Sequence, residues 1–187
     1  MQVKSVRRAL LGGLFFLVGS GAGAQAPAST ADLGFFIGQW EGESVFLPAF
    51  TPGAAPTRET IRAQCGHALA GAYIQCDVVL TNGAGRSRGV MFLLNYNGVS
   101  GQHENLVLAS NHGQESSYAL TRRAGETDWV GLVPTTTADG RPATERIVFS
   151  PSRDGATLRT LELIRPDETP GAEWVQTYEA TWRRAPS

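Results

Sequence analysis

Lysine is almost missing from this chain of 187 residues: Lys4 is the only one. Every basic residue beyond it is arginine, which excludes Schiff-base and other lysine-dependent catalysis from the body of the protein. Cysteines are two, Cys65 and Cys76, with no Cys-x-x-Cys spacing for redox exchange. The three histidines, His67, His103 and His112, share no spacing suited to a metal, so neither a metal site nor a cofactor is expected. No basic cluster argues for nucleic acid. After one apolar run at the N-terminus, no segment approaches transmembrane length.

That N-terminal run reads as an address. Lys4, Arg7 and Arg8 precede "ALLGGLFFLVG" (Ala9–Gly19), and small residues follow, so residues 1–24 are read as a signal peptide. Cleavage after Ala22-Gly23-Ala24 is preferred, because cleavage after Ala26 leaves Pro27 first, a poor substrate. Arg7-Arg8 hints at twin-arginine export, but Val6 stands where a polar residue is expected, and ordinary secretion is favoured. Losing Lys4, Arg7 and Arg8 with no acid takes the formal net charge from −1 to −4. The expectation is a periplasmic or secreted protein with a linker at 25–32, one domain at 33–185 and no integral membrane segment after cleavage.

Helical periodicity is scarce as well. "STADLGFF" (Ser29–Phe36) is the exception, with Ser29 or Thr30 placed to cap a turn or two. Beyond it lie short runs rich in Val, Ile, Thr and aromatics, punctuated by Asn82-Gly83, Asn97-Gly98, Asp139-Gly140 and Asp154-Gly155. They predict strands near 39–47, 58–68, 73–81, 86–96, 100–110, 115–122, 127–133, 143–150, 156–165 and 173–183. The fold class is all-β, an up-and-down antiparallel barrel of about 8–10 strands with a short N-terminal plug helix.

One hairpin carries its own register. In "IRAQCGHALAGAYIQCDVVL" (Ile61–Leu80), a turn at Ala70-Gly71 places Cys65 opposite Cys76 and His67 opposite Ile74. One face is then Ile61, Ala63, Cys65, His67, Leu69, Ala72, Ile74, Cys76, Val78 and Leu80. A two-residue loop makes the cysteines a hydrogen-bonded pair, rather far apart for a disulfide, whereas a four-residue loop, 69–72, makes them a non-hydrogen-bonded pair, close enough to bridge. Export favours the disulfide over free buried thiols. The last strand, "EWVQTYEATWRR", aligns Trp174, Gln176, Tyr178, Ala180 and Trp182, as core packing or as a stacking surface for a ligand.

"FFIGQWEGES" (Phe35–Ser44) resembles the Gly-x-Trp opening of lipocalin-like, calycin-type barrels. With "HALAGAYIQCD", "GVMFLLNYNGVSGQHENLVLASN" and a final strand ending in arginine, the chain resembles a family of uncharacterised exported bacterial proteins of that architecture. The resemblance implies a plugged barrel and no particular activity. It also implies that Trp40 packs across the barrel base beside Arg183 or Arg184, a structural role.

Other chemistry is thin. "GRSRG" (Gly85–Gly89) has the Gly-x-Ser-x-Gly form, but an apolar strand follows where a hydrolase needs a helix. No catalytic residue is assigned, and the balance leans away from an enzyme; Glu104 with His67 or His103 is the pair to test if one exists. A haem-binding reading through His67 or His103 is a minor alternative. If Asn82-Gly83 and Asn97-Gly98 both form two-residue turns, Met91 and Glu104 point inward and His103 outward; one β-bulge would reverse this. The leading expectation is a binding protein whose interior takes a small apolar or amphipathic molecule, lined by His67, Ile74, Val78, Met91, Glu104, Trp174 and Tyr178. The alternative is an envelope interaction module with a filled barrel.

Overall fold

The structure, a computed structural model, describes residues 28–51, 53–110, 115–169 and 171–186. The signal-peptide reading of 1–24, the start of the 25–32 linker and His112 fall outside the described residues. No helix among the described residues is long and apolar enough to cross a membrane.

Ten antiparallel strands follow one another round a closed barrel. They are β1 (Gly38–Phe46), β2 (Thr57–Ala68), β3 (Tyr73–Asn82), β4 (Ser87–Asn97), β5 (Gln102–Ala109), β6 (Glu115–Thr121), β7 (Trp129–Thr136), β8 (Pro142–Pro151), β9 (Thr157–Pro166) and β10 (Val175–Arg184). Period-2 alternation makes this work. Ile61, Ala63 and Cys65 on β2 are buried, while Arg62 and Gln64 between them are exposed. Pairing β1 with β10 closes the sheet into a barrel.

A 3₁₀ helix, Thr30–Phe36, begins inside the stretch read as a linker and stops up the base, the end where β1 starts and β10 finishes. The Asp32 carboxylate accepts the Ser29 N–H at 2.8 Å, holding the first turn. Leu33 and Phe36 are wholly buried, and Thr30 Oγ1 takes the Tyr96 N–H at 3.0 Å. Trp40 donates its indole N–H to Phe36 O at 2.7 Å. The Arg184 guanidinium lies 4.6 Å over the Trp40 ring and donates to Ile37 O and Gly155 O, each at 2.6 Å. Arg184 therefore takes the place the resemblance left to either arginine, and Arg183 is exposed.

The two glycines of the opening motif each clear space. Gly38 has φ +140°, and a Cβ there would run into the Arg184 guanidinium; a Cβ at Gly42 would strike the Thr181 backbone of β10. Cys65 and Cys76 face one another and are bonded, with Cα atoms 4.0 Å apart, across the four-residue loop 69–72.

The next turn departs from expectation. Asn82 N–H donates to Arg86 O, Gly85 N–H donates to Asn82 O, and Gly85 has φ +75°. This is a three-residue loop ending in a left-handed glycine, not a two-residue Asn-Gly turn. Asn82 Oδ1 stabilises it by accepting from the Ala84 and Arg86 N–H groups, both at 3.0 Å. The extra residue reverses the faces of β4 and β5, so that Asp77 pairs with Met91, and Val78 with Val90.

Candidate functional site

Above the plug, the side chains stop filling the barrel. A cavity of about 690 Å³ occupies the rim half, within the range of small-molecule sites. Its wall is largely apolar and aromatic: Val78 and Leu80 on β3, Val90 and Phe92 on β4, Val107 on β5, Tyr118 on β6, Ile147 and Phe149 on β8, Tyr178 and Trp182 on β10. Phe46 stands half-exposed at the mouth. The seam between β6 and β7 is the loosest part of this wall. Only Leu120–Gly131 and Thr121–Val130 are in register, both at the base end.

Three carboxyl side chains and one guanidinium line the apolar wall. Glu59 on β2 and Arg88 on β4 meet across Leu80 in a two-pronged pair, at 2.8 and 3.1 Å. The hydrogen bond to Glu59 holds the Arg88 pKa above its ordinary value, against the opposing effect of burial. Glu145 on β8 and Glu162 on β9 are diagonal neighbours on the cavity wall, Glu162 pairing with Ile147 two residues along from Glu145. Burial raises the pKa of both, and for Glu162 the neighbouring Glu145 charge adds to it while Arg88 opposes it; Glu162 is pushed up to about 8. At neutral pH the two carboxyls share a proton. Tyr178, directly opposite Glu162, is pushed up to about 12 chiefly by burial, and burial raises Tyr118 too.

Two buried polar atoms in this wall have no hydrogen-bond partner among the described residues: Thr160 Oγ1 and Trp182 Nε1. Their residues are 4% and 3% exposed. Native proteins rarely leave such atoms unpaired, so they mark where a ligand or water belongs.

Of the residues assigned from sequence, Val78 and Tyr178 line the cavity. Ile74 is wholly buried lower down, against Leu94 in the packed base. His67 is exposed at the base end of β2. Met91 and Glu104 face outward, because the three-residue loop after Asn82 inverted the register; Glu104 accepts from Asn97 Nδ2 and Ser100 Oγ. Trp174 precedes β10, with Arg165 4.7 Å from its ring. A bulge between Gln176 and Tyr178 takes it off the face of Tyr178.

The same inversion turns His103 inward. Its Nε2–H points at Ser29 O (3.0 Å) and Asp32 Oδ2 (3.3 Å), and its ring meets Trp129 edge-on at 4.7 Å. His103 thus ties the plug down. Glu104, His67 and His103 are not brought together, and neither described histidine faces the cavity to ligate a haem iron there. Among the described residues, no group of three or more His, Cys, Asp and Glu side chains is arranged to hold a metal ion.

Sequence reasoning missed Glu59, Arg88, Glu145 and Glu162. Glu59 had a readable signal: it stands two residues before Ile61, on the face that runs through Ala63 and Cys65.

Compared with known proteins, this chain matches no family model, and no curated protein matches it. The geometry of the cavity is therefore what carries the functional reading.

Proposed function

We propose that this chain is a lipocalin-like binding protein, working outside the cytoplasm, that holds one small amphipathic molecule in the rim half of its barrel. The observation that carries it is the cavity of about 690 Å³ above a plugged base. A filled-barrel module has no use for that space. The Cys65–Cys76 disulfide suits an oxidising compartment and agrees with the signal-peptide reading of residues 1–24.

Val90 and Ala109 sit side by side on the rim half of the cavity wall, on the paired strands β4 and β5, so Val90→Trp fills the space without touching the base. The wild-type protein is expected to bind a neutral amphiphile such as phenylbutanol, with quenching of tryptophan fluorescence. Val90→Trp should weaken that binding at least tenfold while melting cooperatively. No binding by the wild type, with no ligand found by native mass spectrometry of exported material, would overturn the reading.

A further inference from the structure

We propose that the cavity is built for a cationic ligand: a protonated organic amine on an apolar body, its ammonium group held by Glu145 and Glu162. This rests on the binding reading above and names the ligand class. Three carboxyls line the cavity, those of Glu59, Glu145 and Glu162, against the single guanidinium of Arg88. Arg88 is already committed to Glu59 through two hydrogen bonds. A carboxylate ligand would therefore enter a site with surplus negative charge and no free cation to meet it. An ammonium group supplies the missing charge.

The walls suit the same chemistry. Phe92, Tyr118, Phe149 and Tyr178 offer aromatic faces, which attract cations as well as apolar bodies. The unpartnered Thr160 Oγ1 is an independent sign of a polar ligand group. Thr160 stands two residues from Glu162 on the same inward face of β9, and its hydroxyl can accept from an ammonium N–H. Trp182 Nε1, the other unpaired atom in the wall, is a donor that an ammonium cannot satisfy and calls for an acceptor such as a water.

An ammonium group held by both carboxyls takes the place of the proton they share and displaces it. The groups around Glu162 are Glu145 on β8, Tyr178 on β10 and, from across the cavity, Arg88 on β4, Glu59 on β2 and Tyr118 on β6. The tyrosines stay neutral, and Glu59 and Arg88 stay paired, so the carboxyl pair is the group that exchanges a proton with solvent. Below about pH 8 each amine bound releases one proton, and affinity climbs with pH by up to about tenfold per unit before levelling off.

Phenylbutylamine, phenylbutanol and phenylbutyrate share one apolar body and differ in head group. Calorimetry on the full-length protein, from pH 5 to 9 and in two buffers of different ionisation enthalpy, measures both affinity and proton release. The amine should bind at least tenfold more tightly than the alcohol at pH 8, the carboxylate most weakly, and only the amine should release a proton. Glu162→Gln should abolish the amine's pH dependence and its advantage while keeping alcohol binding. If that variant fails to fold, Glu145→Gln gives the same readout. Equal binding of all three probes, or a preference for the carboxylate, overturns the amine assignment alone. Failure of every probe overturns the binding reading with it.

Discussion

The two ends of this barrel are made on opposite plans. At the base, Leu33, Phe36, Trp40, Ile74, Leu94 and Leu158 are at most 2% exposed, and the Cys65–Cys76 disulfide and Arg184 tie the strands together. At the rim, the interior holds a cavity with three carboxyls and a guanidinium, and β6 and β7 lose their pairing. Close packing stabilises; buried carboxyls and empty volume do the reverse. The base thus supplies the stability that lets the rim keep a destabilising interior, and residues at the two ends should answer differently to mutation.

The largest effect is expected at the base. Trp40→Ala removes a 2%-exposed indole, its bond to Phe36 O and the platform for Arg184. It should cost about 3–5 kcal/mol, seen as a large drop in urea midpoint. A loss under about 1 kcal/mol would show that the base does not carry the fold. Replacing both Cys65 and Cys76 with alanine comes next, at about 3 kcal/mol. The same urea titration measures it, and in neither case should the folded protein change the pH dependence of its ligand affinity.

The rim should give the opposite sign. Glu162 goes from 4.5 in the unfolded chain to about 8 in the fold, so the native state holds its proton more tightly. Stability is then greatest below about pH 4.5 and falls as pH rises toward 8. The shift alone sets a ceiling of about 5 kcal/mol; water reaching the cavity screens the group, and about 2 kcal/mol is expected. Glu162→Gln should therefore stabilise the protein at pH 8 and do little at pH 4. Asp139 and Asp154 do not blur this window. Hydrogen bonds from Thr137 and Ser152 lower them, so their contribution disappears only in acid, as pH falls below about 3.8. Melting curves across pH 4–9 that coincide for the two proteins would remove Glu162 as a destabilising group.

The contrast between the ends also explains what was legible in the sequence. Strand positions and the β2–β3 register follow from side-chain alternation and from two cysteines that align in one register only, information local to each run. Faces beyond β3 depended on two turns. The second is a four-residue loop, 98–101, rather than a two-residue Asn97-Gly98 turn, but an even change leaves the faces as they were, so the first turn decides. Asn82-Gly83 looks like a two-residue turn, but Gly85, two residues on, takes the left-handed position instead. A single added residue then inverted Met91, His103 and Glu104 together. The site was hidden for a different reason. Glu59, Arg88, Glu145 and Glu162 come from β2, β4, β8 and β9, and charged residues in strands ordinarily read as the water-facing side. Only closure of the barrel puts them in one cavity.

The smallest effect separates neighbours at the base. Arg183 and Arg184 are adjacent, both arginine and both exposed by surface area. Arg184 covers the Trp40 ring and bonds Ile37 O, Gly155 O and, at 3.4 Å, Phe35 O, joining the plug, β1 and the β8–β9 turn. No hydrogen bond or ion pair involves the Arg183 side chain among the described residues, and it points away from the barrel interior. Arg184→Met keeps most of the apolar stem and loses the bonds, so it should cost about 1–2 kcal/mol. Arg183→Met should stay within about 0.5 kcal/mol. Equal losses in matched urea titrations would mean that charge at the C-terminal strand, rather than the stack on Trp40, holds the base closed.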